Sequence, residues 1–163
     1  CMVVLEFMST LALWPPLVTE IPSYNNFAWL IGNGDPAGWW GLILLTVFSI
    51  TDCGGRVLVQ KTRLGITKDN IWMSVMGRIV FLFPLVICSV KGYMFVHDLF
   101  SMLFVGLLGF TNGYLGTLSI IVVNDVFPDN EQEQAVAGTF TSFFLNTGLV
   151  LGASLGLIFE KFV

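Results

Sequence analysis

Charge is what this sequence has least of. Only 11% of its 163 residues are Asp, Glu, Lys or Arg, against about 25% in an ordinary soluble domain. So few charges cannot cover a water-exposed surface. The seven basic residues form no block, which excludes the positive groove that nucleic-acid binding needs. A single histidine, His97, and three cysteines offer no zinc-type ligand spacing. Cys53 and Cys88 lie inside apolar runs, and an odd count in such places argues against a disulfide framework. A basic leader is missing too. The chain opens Cys1-Met2-Val3-Val4-Leu5, which is no signal peptide and reads as the cut edge of a longer protein.

Apolar residues are abundant, at 55% of the chain with a mean hydropathy of +0.83. Lipid is the solvent that suits such a surface. Five apolar segments, 1–21, 38–60, 70–93, 99–127 and 134–161, each reach the length of about 20 residues that a membrane-crossing helix needs. They are separated by turn and charge signals such as Asn33-Gly34-Asp35-Pro36, Lys68-Asp69-Asn70, His97-Asp98 and Pro128-Asp129-Asn130. Short alternating strands of a membrane barrel are absent. The expected fold is an all-α integral membrane bundle of five transmembrane helices.

Lys61, Arg63 and Lys68 fall in the loop between the second and third segments, which places that loop in the cytosol. The chain then starts in the cytosol and ends outside. The acidic loop at 128–133, on the same side, runs mildly against this orientation. Trp29, Trp39 and Trp40 sit near the outer ends of segments one and two, where indole rings favour the headgroup layer.

Ionisable residues inside spans are the informative ones, because each costs about 2.5–3.5 kcal/mol at the bilayer centre. Asp52 and Arg56 occur in Ser49-Ile50-Thr51-Asp52-Cys53-Gly54-Gly55-Arg56. At i and i+4 they share a helical face and can pair. Two roles stay open: a structural ion pair that locks helices, or a polar binding face on a central cavity. Arg78 lies about two turns into the third segment, within snorkelling reach of the cytosolic interface. Glu6 is expected at the cytosolic rim, solvated.

Leu13-Trp14-Pro15-Pro16 predicts a kink in the first span, and such breaks are tolerated where they line a cavity. Phe110-Thr111-Asn112-Gly113-Tyr114 is a polar, flexible patch in the fourth, with Asn112 suited to a bond between helices or to a ligand. In the fifth, Gly148, Gly152 and Gly156 repeat every four residues as a close-packing stripe. Gly138, Ser142, Phe143 and Asn146 form a second, partly polar face suited to lining a cavity. No nucleophile–base pair, metal cluster or phosphate-cradling loop can be assembled, so an enzyme is not expected. Polar residues in mid-membrane beside kinks and glycines fit a solute pathway.

Several of these segments also resemble the equilibrative nucleoside transporter family. Asp52-Cys53-Gly54-Gly55-Arg56 is similar to its D-x-x-G-R motif, and Phe110-Thr111-Asn112-Gly113-Tyr114-Leu115 to its F-[ST]-N-G-Y-L. Leu13-Trp14-Pro15-Pro16-Leu17-Val18-Thr19-Glu20-Ile21 resembles the proline-containing seventh span. Ala137-Gly138, Phe143-Phe144-Leu145 and Gly148 resemble the last span, and Gly77-Arg78 sits where the ninth has an arginine. Ser49 departs from the asparagine common three residues before the aspartate, and Asp129–Glu133 from a loop that is often basic.

The resemblance implies that residues 1–163 are spans seven to eleven of an eleven-span transporter of the plasma membrane with a fold like the major facilitator superfamily. The N-terminal six-span half would be the missing partner. It implies passage of nucleosides or nucleobases by alternating access, without a cofactor. Asp52 and Arg56 would hold the substrate, Trp14 would stack on a base, and Ser49, Asn112 and Asn146 complete the expected substrate-binding set. Proton coupling through Asp52 is a further expectation. The competing expectation, from another class, is a non-transporting membrane scaffold in which the Asp52–Arg56 pair only joins helices.

Overall fold

The computed structural model of the chain describes residues 2–14, 16–23, 39–62, 66–67, 69–80, 97–126 and 131–160. All regular structure among them is helical: α1 (Met2–Leu13), α2 (Pro16–Thr19), α3 (Trp39–Lys61), α4 (Ile71–Val80), α5 (Asp98–Val126) and α6 (Glu131–Glu160). Three stretches, Trp39–Lys61, Asp98–Val122 and Gln132–Ile158, are long and apolar enough to cross a membrane. They overlap the second, fourth and fifth expected segments. The third, 70–93, is described only through α4, and the rest of it lies outside the described residues.

The first expected span is a broken helix. The amide of Trp14 still bonds to Thr10 O at 2.8 Å, but α1 ends at Leu13 and Pro16 opens the separate turn α2. Proline has no amide to continue the ladder, and its fixed φ suits a first helical position. Side chains meet the backbone at the start of α5 and the end of α3. His97 Nδ1 accepts from the Leu99 amide at 3.2 Å, and Asp98 lies in the first turn of α5, where a carboxylate complements the helix dipole. Lys61 closes α3 with the opposite sign, and the Tyr114 hydroxyl donates to Thr62 O at 3.0 Å just beyond it.

α5 is the hub. It packs most extensively on α3, while α1 packs chiefly on α6 and both of these also touch α5. The α3–α5 contact is backbone on backbone. A Cβ at Gly109 would lie 2.5 Å from Phe48 O, one at Gly55 2.7 Å from Tyr114 N, and one at Gly113 2.7 Å from the Asp52 carbonyl carbon. The α1–α6 contact uses the glycine stripe in the same way. A Cβ at Gly148 would meet Val4 O at 2.8 Å and one at Gly152 would meet Met8 O at 2.6 Å. Close packing is therefore the job of Gly148, Gly152 and Gly156, as expected. Gly152→Leu should then cut the folded yield in detergent size-exclusion several-fold, while surviving protein keeps its ligand affinity. Normal yield with weakened affinity would mean that the stripe faces a ligand.

Two buried apolar clusters sit at different levels along α3 and α5. One holds Leu13, Leu17, Val18, Trp40, Leu44, Phe48, Val105 and Leu108. The other holds Val59, Ile71, Val75, Tyr114, Leu115 and Leu118. Trp39 is exposed at 56%, in keeping with an interfacial anchor, but Trp40 is 3% exposed inside the first cluster. Its neighbour position on the helix turns it inward, so it is a core residue instead. Trp29 lies outside the described residues.

Candidate functional site

Between the two clusters, α3 presents Asp52 and α5 presents Asn112, and both border a cleft of about 300 Å³. Phe7, Thr10, Leu11 and Trp14 line it from α1 and its break, Phe48, Ser49, Asp52 and Arg56 from α3, and Leu149 from α6. The spacings explain why these side chains converge. Ser49, Asp52 and Arg56 fall three and four apart on one stripe, as do Phe7, Thr10 and Trp14. Trp14 stacks on Phe48 with ring centroids 4.6 Å apart and planes 18° from parallel. Ser49 lines the cleft while its hydroxyl donates back to Leu45 O at 2.9 Å. Five of the six expected binding residues, Trp14, Ser49, Asp52, Arg56 and Asn112, thus share one cleft.

Asn146 does not join them. It is exposed on α6 and is not among the residues lining the cleft. Gly148, two residues on, carries the buried edge against α1, and two residues turn a helix by about 200°.

Asp52 and Arg56 do pair, with Arg56 Nε donating to Asp52 Oδ2 at 2.7 Å; the Arg56 side chain is 50% exposed and that of Asp52 15%. The second carboxylate oxygen, Oδ1, accepts from Asn112 Nδ2 at 2.6 Å. Asn112 Oδ1 accepts in turn from Thr10 Oγ1 at 2.8 Å, and Thr10 Oγ1 accepts from Arg78 Nη2 at 2.8 Å. The Thr10 hydroxyl also lies 2.9 Å from Glu6 O, and Arg78 Nη2 lies 3.2 Å from Leu108 O. Beyond Arg78, its Nη1 donates to Glu6 Oε1. Six polar side chains on α1, α3, α4 and α5 therefore form one connected chain.

Two expectations are corrected by this chain. Glu6 is not solvated at a rim, and Arg78 does not snorkel to an interface. Their side chains are 0% and 3% exposed and paired with each other. The mutual pairing removes the drive for either to reach water. Glu6 Oε2 and Arg78 Nε have no hydrogen-bond partner among the described residues, so the burial is only partly compensated. Sequence reasoning also passed over Thr10, although Glu6, Thr10 and Trp14 recur every four residues along one face. Asn112 was expected to bond across helices or to a ligand, and it does bridge α1 and α5 to α3.

The family model described as nucleoside transporter matches residues 2–161 of the chain. The chain is 32% identical to equilibrative nucleoside transporter 1 of Homo sapiens over 96% of its own length and 34% of that protein. It is 28% identical to equilibrative nucleotide transporter 8 of Arabidopsis thaliana over 90% of its length and 35% of the relative. Nucleoside transporter 2 of Leishmania donovani is 27% identical over 93% of the chain and 28% of the relative. The chain thus spans about a third of the length of these relatives. No solved structure matches it. With apolar helices that suit a bilayer and a family match running through every helix that borders the cleft, the chain is a multi-pass membrane protein that belongs to the nucleoside transporter family.

Proposed function

We propose that this chain is the C-terminal, five-span bundle of an eleven-span transporter that carries nucleosides or nucleobases by alternating access against an N-terminal six-span half. The observation that carries this reading is a half-exposed guanidinium and a carboxylate held side by side in a cleft with a stacked aromatic pair at hand. A carboxylate accepts hydrogen bonds from vicinal hydroxyls, and a guanidinium donates to ring acceptors. Trp14, backed by Phe48, offers a flat face for a base. A volume of about 300 Å³ is at the lower end of small-ligand sites. Ser142 and Asn146, polar yet exposed on α6, are suited to a path shared with the opposing bundle. The fold would be like that of the major facilitator superfamily, in the plasma membrane, with the chain starting in the cytosol and Asp52 as the proton-coupling group.

Uptake and surface expression in the full-length transporter test the reading. Asp52→Asn should reach the surface yet lose about tenfold or more in affinity for ribosyl substrates, the worth of one charged hydrogen bond. Free bases should lose less, because they lack the diol. Arg56→Lys should also weaken binding, since an ammonium cannot reproduce the planar fork. A double Asp52→Asn, Arg56→Leu variant that transports normally would leave the pair with only the helix-joining role of a scaffold.

A further inference from the structure

A carboxylate at one end of the buried chain and a guanidinium at the other set the direction in which its hydrogen bonds run. A carboxylate only accepts, so Asn112 turns its amide nitrogen to Asp52 Oδ1 and its oxygen towards Thr10. That oxygen can only accept, so the Thr10 proton serves it, shared with Glu6 O at 2.9 Å, and the Thr10 oxygen accepts from Arg78. Arg78 Nη2 is therefore the head of a one-way relay that ends on Asp52. Arg56 donates to the other carboxylate oxygen from the cleft side. Bonds aligned head to tail in a dry interior polarise one another.

We infer that Thr10 is a positioning residue: its hydroxyl couples the buried Arg78 guanidinium to the Asn112 amide and so fixes the orientation in which Asp52 faces substrate. The transport reading is the ground for the last step; the relay itself rests on geometry. Without the hydroxyl, Asn112 keeps its nitrogen on Asp52 but loses the donor that holds its oxygen. Held at one end only, the amide would shift about its side-chain torsions and carry its bond to Asp52 Oδ1 with it. Asp52 would then be free to turn within the cleft, with Arg56 as its remaining fixed anchor. Recognition of the ribose hydroxyls would suffer, while stacking of the base on Trp14 would not.

Thr10→Val, nearly isosteric and without a hydroxyl, should be made in the full-length transporter beside Thr10→Ser, which keeps one. The expected result is a half-saturation concentration about tenfold higher for a ribonucleoside in Thr10→Val. Maximal rate and surface expression should stay within about twofold of the parent protein. The dideoxy counterpart, lacking both ribose hydroxyls, should show no such loss, and Thr10→Ser should restore ribonucleoside affinity. Unchanged ribonucleoside affinity in Thr10→Val, equal losses for both substrates, or failure of the serine variant to restore would overturn the positioning role.

A second measurement needs no transport. In the purified protein, the melting-temperature shifts of Thr10→Val and Asp52→Asn should depart from additivity by about 2 °C or more, since the two residues share one network. Additive shifts would overturn the relay. A parent protein without saturable nucleoside uptake would sink the transport reading and the substrate-facing role together, and this cycle would still decide the relay.

Discussion

Arg78→Met will destabilise the bundle by about 3–5 kcal/mol, the usual result of removing one member of a buried ion pair. The reason is Glu6, whose side chain is fully buried on α1. Without the guanidinium its carboxylate faces an apolar interior, and Thr10 loses the donor that feeds the relay. Glu6→Leu combined with Arg78→Met should recover most of the loss, because a buried pair replaced by apolar residues of similar volume is often neutral. Thermal unfolding in detergent, followed for both single variants and the double, measures this. A harmless Arg78→Met would mean that the pair is hydrated in the folded protein, and a double variant no better than the singles would mean that the charges were never coupled.

Gly113→Ala is expected to be nearly as damaging, although it adds only a methyl group. The new carbon would lie 2.7 Å from the Asp52 carbonyl carbon and 3.0 Å from its Cα. These are backbone atoms that cannot swing aside as a side-chain tip can. α3 and α5 would have to part, with a cost beyond the about 1–3 kcal/mol of ordinary overpacking. The 2.6 Å bond between Asn112 and Asp52 would lengthen with them, so affinity should fall in whatever protein still folds. Gly54→Ala is the control. Among the described residues beyond its own stretch of helix, no atom lies within 4 Å of a Cβ there, and alanine is the better helix former by about 1 kcal/mol. Equal stability losses in the two variants would contradict the backbone contact between α3 and α5.

The two glycine contacts differ in how readable they were. Gly148, Gly152 and Gly156 stand in an apolar run, where a repeat of four has packing as its plain meaning. Gly109 and Gly113 have the same spacing but flank Phe110-Thr111-Asn112, whose polarity drew a chemical reading instead. Asp52 and Arg56 were legible as a pair because four residues fix their relation within one helix. Thr10 and Asn112 were not, since their meeting depends on how α1 and α5 are rotated about their axes, and local spacing does not encode that. Glu6 was misread for a related reason. Its place near the start of an apolar segment suggested the rim, whereas the depth of a residue is set by where the partner helix carries Arg78. The break at Trp14 followed directly from proline stereochemistry.

The apolar clusters on either side of the polar chain have an electrical consequence. Leu44, Val105 and Leu108 on one side, and Val59, Val75 and Leu118 on the other, are each no more than 2% exposed. They leave the buried, opposite charges of Glu6 and Arg78 insulated from both ends of the bundle, while Arg56 reaches the cleft. A hydrated file of ions cannot thread through such plugs, because dry side chains give a permeating ion nothing to replace its hydration shell. The described helices therefore act as a dielectric wall, and their conductance in a planar bilayer should stay at the background level.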